Sequence, residues 1–307
     1  LLKLAFVFPG QGAQYVGMGQ ELAAAYGAAN EVFAQADQIC GYSLSSMCFT
    51  GPEEMLNQTR YAQPALLVTS LACLAVARAN GLSADCMSGL SLGEYTALVG
   101  AGAIPLEKAL PLVMRRAELM QDAVPLGQGA MAAVMGLDND IVEEICRNQE
   151  GIVTVANYNC PGQLVISGEK AAVESAILGL KEKGAKTMLL AVSVPSHSPL
   201  MRACAEQFAQ VVAGVEFEKP QVPVVSNVTA APHDVADIPR LLVEQLYSPV
   251  RWEQSVRRMM TMVDYFVEVG PGSSLSGLIK KIDKDRILGQ ISDIKSLNKL
   301  MEKVKSI

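Results

Sequence analysis

The sequence predicts an α/β sandwich with a largely parallel sheet, interrupted by one inserted unit of ferredoxin-like order. Three observations carry that expectation. Short apolar runs alternate with longer stretches of helical periodicity over most of the 307 residues. A strand–turn–helix pattern surrounds Gly89-Leu90-Ser91-Leu92-Gly93. Between about residues 129 and 192 the rhythm changes to β-α-β-β-α-β, the order of the ferredoxin-like split unit. Two domain-sized units fit the length: a core of residues 1–125 and 195–307, and an insertion of residues 126–194.

In chain order, the apolar run 1–8 meets Pro9-Gly10 with no cleavage pattern, so a buried strand is expected there rather than a signal peptide. Helical spacing covers 18–26 and 29–39, and Gly51-Pro52-Glu53-Glu54 punctuates the chain. A helix is expected over 64–80, a strand over 84–90, and helices over 92–100 and 105–121, the last kinked at Pro111. The insertion carries strands at 131–135, 152–158, 163–166 and 186–192, with helices at 139–148 and 170–183. Beyond it come helix 200–212, strand 223–227, helices 238–247 and 252–262, and strand 265–269, which ends at Gly270-Pro271-Gly272. Residues 291–304 again show helical spacing.

Composition narrows the function. Half of the residues are hydrophobic and mean hydropathy is +0.25, enough for an extensive core. With 25 basic and 31 acidic side chains the net charge is −6, which offers no general field for nucleic acid or an anionic membrane. The apolar run 65–77 is too short for the roughly 20 residues a bilayer span requires. Seven cysteines without a C-x-x-C pair fit free structural thiols in a reducing, cytoplasmic setting.

Ser91 is the first chemical candidate, because G-x-S-x-G between a strand and a helix holds a serine hydroxyl above the sheet edge. A hydroxyl needs a base, and there are two histidines. His233 lies in the polar loop Ala230-Ala231-Pro232-His233-Asp234, where a solvated imidazole is expected. His197 lies between a strand and a helix expected to be capped by Ser198 with Pro199 first, and the helix dipole there would keep the ring neutral. No acid stands out to orient it. A backbone carbonyl from the loop Tyr247-Ser248-Pro249-Val250-Arg251 is the candidate acceptor.

Arg116 borders the apolar face of its helix, whereas Arg115 groups with Lys108 and Glu118 on the wetter side. A guanidinium so placed calls for an anion. It is either a substrate carboxylate, bound through parallel hydrogen bonds, or an internal partner, Glu94 or Asp122. The loop Pro9-Gly10-Gln11-Gly12 follows the first strand and lacks a nucleotide-loop ending. Its Gln11 N–H and the Leu92 N–H are candidate oxyanion donors.

Together these segments resemble the malonyl-CoA:acyl carrier protein transacylases, the acyltransferase family of bacterial fatty acid synthesis and polyketide synthases. The markers are Phe8-Pro9-Gly10-Gln11-Gly12, Thr59-Arg60-Tyr61-Ala62-Gln63-Pro64-Ala65, Gly89-Leu90-Ser91-Leu92-Gly93-Glu94-Tyr95, Arg116 with Met120-Gln121, Asn157-Tyr158-Asn159, Val194-Pro195-Ser196-His197 and Val267-Glu268-Val269-Gly270-Pro271-Gly272. The resemblance implies an α/β-hydrolase-like core with a ferredoxin-like insertion. It makes Ser91 the nucleophile, His197 the base and acid, Gln11 and Leu92 the oxyanion donors, and Arg116 the malonyl carboxylate's partner, with Gln63 and Leu90 also binding substrate. It further implies an acyl carrier protein as partner, malonyl-CoA as substrate rather than a resident cofactor, and no metal; a monomer is expected.

Two positions depart from that pattern. Leu90 stands where many relatives have a histidine, and Arg251 where some place a glutamine near the imidazole's partner. Two other functions stay open on the sequence: an editing acyl hydrolase, favoured by apolar Leu90 and opposed by Arg116, and a silent carrier-docking subunit. Basic docking candidates are Lys280, Lys281, Lys284 and Arg286, or Arg257 and Arg258.

Overall fold

The computed structural model describes residues 2–192 and 194–307; Leu1, expected in the first strand, and Ser193, expected in the insertion, lie outside them. Four parallel strands, β1 (Leu4–Phe8), β2 (Cys86–Gly89), β7 (Tyr265–Val269) and β8 (Ile287–Ile291), form one sheet in the order β2-β1-β7-β8. Strands β1, β2 and β7 are nearly continuous buried runs, as expected of a parallel sheet covered by helices. The second sheet is antiparallel, ordered β4-β5-β3-β6 from β3 (Gly129–Met135), β4 (Val153–Cys160), β5 (Gln163–Glu169) and β6 (Lys186–Leu189). Helices Asn139–Arg147 and Lys170–Glu182 pack on it around Val142, Val173, Ile177 and Leu180, giving the ferredoxin-like order a core of its own.

Register positions the functional loops. Phe8 pairs with Gly89 in the β1–β2 ladder, so the chain leaving β1 runs beside the turn at residues 90 and 91. The Leu90 N–H donates to the Phe8 carbonyl at 3.1 Å. This approach requires glycine: a Cβ on Gly93 would collide with the Phe8 carbonyl, and one on Gly89 with the backbone of Gly93.

Helix Thr59–Ala79 begins five residues ahead of the expected start at Pro64, so the proline sits inside it. The consequence is to bring Gln63 onto a helix face that is 1% exposed at that residue. This 21-residue helix is long and apolar enough to cross a membrane, unlike the shorter run seen in the sequence, but 83% of its most apolar window is buried in the protein. It packs against helices Gly27–Cys40 and Leu106–Asp122. All seven cysteines are free, and burial pushes the Cys73 thiol up to about 12, consistent with an unreactive structural group.

The structure corrects several expected elements. Residues 223–227 form single bridges, Met87 to Val224 and Val225 to Pro232, instead of a strand. At the end of this segment the side chain and N–H of Asn227 turn inward to Gly89, Ser91 and Glu94. Strand β8 and helices Leu44–Thr50, Glu53–Leu56 and Ser274–Ile282 were not foreseen. Each is short, and β8 carries Gly289 and Gln290, which break the apolar signal.

Candidate active site

Ser91 occupies the tip of the turn between β2 and helix Leu92–Gly100 with φ 53° and ψ −102°. Its N–H donates to Asn227 Oδ1 at 2.7 Å, and Asn227 Nδ2 donates to the Gly89 carbonyl at 2.7 Å, so one asparagine clamps both sides of the strained residue.

His197 also has a positive φ, 62°, and its N–H donates to the Leu246 carbonyl at 3.0 Å. Its Nδ1 lies 2.7 Å from the Gln245 carbonyl oxygen and its Nε2 lies 2.9 Å from Ser91 Oγ. A carbonyl only accepts, so Nδ1 carries the proton and Nε2 presents a lone pair to the serine hydroxyl. The orienting carbonyl belongs to Gln245, two residues before the loop expected to supply it, at the end of helix Ile238–Glu244. Arg251 instead uses its N–H on the Asn227 carbonyl at 2.9 Å.

Burial, and then the positive charge of Arg116, lower the His197 pKa to about 4; the Gln245 and Ser248 backbone groups push the other way. Ser198 takes the cap position and Pro199 the first helical position, as expected, but the geometry around them differs. The chain after His197 makes a 3-10 turn, Pro199–Met201, before helix Arg202–Val212, and Ser198 Oγ donates to the Pro195 carbonyl at 2.7 Å instead of capping.

Arg116 is 1% exposed. Its Nη1 donates to Gln63 Oε1 at 2.6 Å, and its Nη2 to Gln245 Oε1 at 2.9 Å and Ser91 Oγ at 3.1 Å. The Tyr95 ring lies 5.1 Å from the guanidinium carbon, in cation–π range. Neither acid weighed as an internal partner meets it. Asp122 lies 3.5 Å from Arg60 at the surface, and Glu94 is turned to the far side of Gln245. The guanidinium is therefore a buried cation held by neutral oxygens, and its Nε has no partner among the described residues. Arg115, as expected, pairs with Glu118 at 3.1 Å on the exposed side.

A cavity of about 550 Å³ opens over these groups, between the Ser91 turn and one face of the antiparallel sheet. Ser91, His197, Arg116, Gln63, Leu90, Gln11 and Leu92 all line it, so the structure brings every expected site residue together. Among the described residues neither the Gln11 nor the Leu92 N–H has a protein acceptor. The sheet contributes Met131 and Ala133 from β3 and Asn157 and Asn159 from β4, alternate residues as strand geometry dictates. Of the basic candidates, Lys281 reaches the cavity and donates to Gln163 Oε1 at 2.7 Å, whereas Arg257 is held by Glu253 at 2.7 Å and Arg286 by the Val263 and Asp264 carbonyls. No group of three or more potential metal ligands occurs among the described residues.

His233 contradicts its expected solvation. Its side chain is fully buried, with Nε2 2.6 Å from Glu94 Oε1. A polar loop hid this, because the burying surface comes from residues far away in sequence. Gln245 and Asn227 were likewise missed; the only trace was a polar residue at the end of an apolar run, 223–227.

Comparison with known proteins identifies the family. Residues 5–300 match the acyl transferase domain family. The malonyl CoA-acyl carrier protein transacylase of Bacillus subtilis (strain 168) is 44% identical over 309 residues, 99% of this chain and 98% of that protein. Its counterpart from Escherichia coli (strain K12) is 47% identical over 288 residues, 92% and 93% of the two chains. The crystal structure of the malonyl CoA-acyl carrier protein transacylase from Clostridium perfringens superposes with a TM-score of 0.96 at 40% identity, covering 99% of this chain and 98% of the other. A malonyl-transacylase solved in complex with its type II PKS acyl-carrier protein gives a TM-score of 0.95 at 43% identity, with 99% and 100% covered. Nearly full-length agreement in sequence and fold places the chain in a single family: it belongs to the acyl transferase domain family.

Proposed function

We propose that this chain transfers the malonyl group of malonyl-CoA to the phosphopantetheine thiol of an acyl carrier protein, through a malonyl ester on Ser91. One observation carries the reading: Ser91 Oγ sits 2.9 Å from a neutral imidazole nitrogen and 3.1 Å from a buried guanidinium that has no anionic partner among the described residues. A nucleophile, a base and a carboxylate site meet at one atom. Relatives named malonyl CoA-acyl carrier protein transacylases, one solved with its carrier, support the substrate and the partner.

In the first half-reaction His197 Nε2 takes the Ser91 proton as Oγ attacks the thioester carbonyl. The Gln11 and Leu92 amides receive the developing oxyanion, and His197 returns the proton to the departing coenzyme A sulfur. Arg116 binds the malonyl carboxylate, with Gln63 and Gln245 holding the guanidinium in place. The carrier thiol then enters, gives its proton to His197 and attacks the ester carbonyl, and Ser91 recovers its hydrogen as the malonyl thioester leaves. Apolar Leu90 and the wall supplied by the 126–194 insertion help keep water from the ester.

With malonyl-CoA alone, the enzyme is expected to accumulate one malonyl group by intact mass; addition of holo carrier protein discharges it onto the carrier thiol. Release of free malonate at a rate matching transfer would instead establish a hydrolase. The acidity of His197 adds a second expectation. The ring is the base when neutral and regains its proton only below the depressed value. The rate of Ser91 acylation should therefore stay level from neutral pH downward and fall only as pH passes about 4. A midpoint near the ordinary 6.5, read by pH-jump acylation, would remove burial and Arg116 as controls on the base.

A further inference from the structure

Beneath the Ser91 turn lies a second tier of buried polar groups that takes no direct part in proton transfer. Gln245 is its centre. Its carbonyl accepts from His197 Nδ1 at 2.7 Å, and its side-chain Oε1 accepts from Arg116 Nη2 at 2.9 Å. Its Nε2 donates to the Ser91 carbonyl at 3.0 Å and to Glu94 Oε2 at 2.6 Å. A carboxamide has two nearly isosteric ends, and only its neighbours decide which way it points. Here the Glu94 carboxylate demands the NH2 end, and that turns the oxygen toward Arg116.

Glu94 is itself fully buried and is held from two sides. Oε2 also accepts from the Asn227 N–H at 3.1 Å, while Oε1 has His233 Nε2 at 2.6 Å. No salt bridge to Glu94 other than that with His233 occurs among the described residues. His233 is anchored by its own N–H, which donates to the Val224 carbonyl at 2.9 Å, next to the Val225–Pro232 bridge. The imidazole thus reaches the carboxylate from a backbone tied to the core.

We propose that His233 is a positioning residue for acyl transfer: by holding Glu94 it sets the orientation of Gln245, and through Gln245 it aligns both the base His197 and the carboxylate partner Arg116. This deepens the malonyl-transfer reading and rests on it. Without the imidazole donor, Oε1 of a buried carboxylate is left unsatisfied and turns toward the remaining donors, Gln245 Nε2 first among them. One displaced amide then disturbs two groups, the guanidinium that grips the malonyl carboxylate and the carbonyl that orients the base.

The test compares His233→Leu, which removes the donor, with His233→Gln, whose Nε2 can stand where the imidazole Nε2 stood. For each, kcat and KM are measured with malonyl-CoA and acetyl-CoA, together with the thermal midpoint. His233→Leu is expected to lower kcat about tenfold and the malonyl-over-acetyl preference about threefold or more, and His233→Gln to recover both to within about twofold. Wild-type kcat and selectivity in His233→Leu, or equal damage in both variants, overturns the proposal. Should His233→Leu not fold, His233→Asn replaces it, since the shorter amide cannot reach Glu94; parity between Asn and Gln then refutes the role. The malonyl adduct separates the two levels of inference. If the wild-type protein forms none, the transfer reading fails; if it forms one and the variants behave alike, only the role of His233 fails.

Discussion

Ser91→Ala is expected to leave the protein folded and without any malonyl adduct, with transfer reduced by a factor of about 10⁴ or more. The backbone should tolerate the change. The turn at residue 91 is fixed by the Asn227 contact to its N–H, by the Gln245 contact to its carbonyl and by the glycines on either side, none of which involves the hydroxyl. What disappears is the oxygen on which His197 Nε2 and Arg116 Nη2 converge. Residual turnover would come from the oxyanion amides and binding alone, because among the described residues Ser91 Oγ is the hydroxyl bonded to both the imidazole and the guanidinium. Intact mass after brief exposure to malonyl-CoA, with the unfolding midpoint as control, checks the expectation. A Ser91→Ala protein that still gains the mass of a malonyl group would sink the assignment of the nucleophile.

Arg116→Ala is expected to abolish discrimination between malonyl-CoA and acetyl-CoA. The two acyl groups differ by one carboxylate, and the guanidinium is the buried cation that faces the serine. Truncating one member of a buried, hydrogen-bonded charge pair costs about 2–5 kcal/mol, so malonyl kcat/KM should fall roughly 30- to 4000-fold. Acetyl kcat/KM should change far less. Removing a buried cation also releases Gln63 and Gln245, and loss of the Gln245 contact makes some fall in kcat part of the expectation. Arg116→Lys should recover little, because an ammonium keeps the charge but cannot bridge Gln63, Gln245 and a carboxylate with a planar fork. Competition between the two donors, read as the mass of the trapped adduct, measures the ratio directly; an unchanged ratio would reject the carboxylate role.

The two tiers of the site differ in how they were legible. Ser91 and its glycines were visible because the steric demand is local: Gly93 must clear the Phe8 carbonyl, and Gly89 the backbone of Gly93. The helix face of Arg116 was visible from periodicity, since Leu110, Val113, Ala117 and Met120 mark the buried side and all are buried in the structure. The partners of Arg116 were not visible. Gln63 and Gln245 are 53 and 129 positions away, and no local pattern marks a glutamine as an acceptor for a guanidinium. His233 shows the same limit from the opposite side, for a loop rich in alanine, proline and aspartate reads as solvent-facing until Glu94 closes over it from 139 positions away.

By itself the sequence determined the strand–turn–helix around Ser91 and the parallel and ferredoxin-like parts, and it singled out Ser91 and His197 as the candidate nucleophile and base, because each follows from spacing over a few residues or from the scarcity of histidine. Tertiary structure alone decided which carbonyl orients His197, why that ring stays neutral, and that Arg116 meets neutral oxygens rather than an anion among the described residues. Those properties are sums of contacts between distant segments and of the water those contacts exclude. Burial and a neighbouring charge, not position along the chain, set the chemistry of an imidazole.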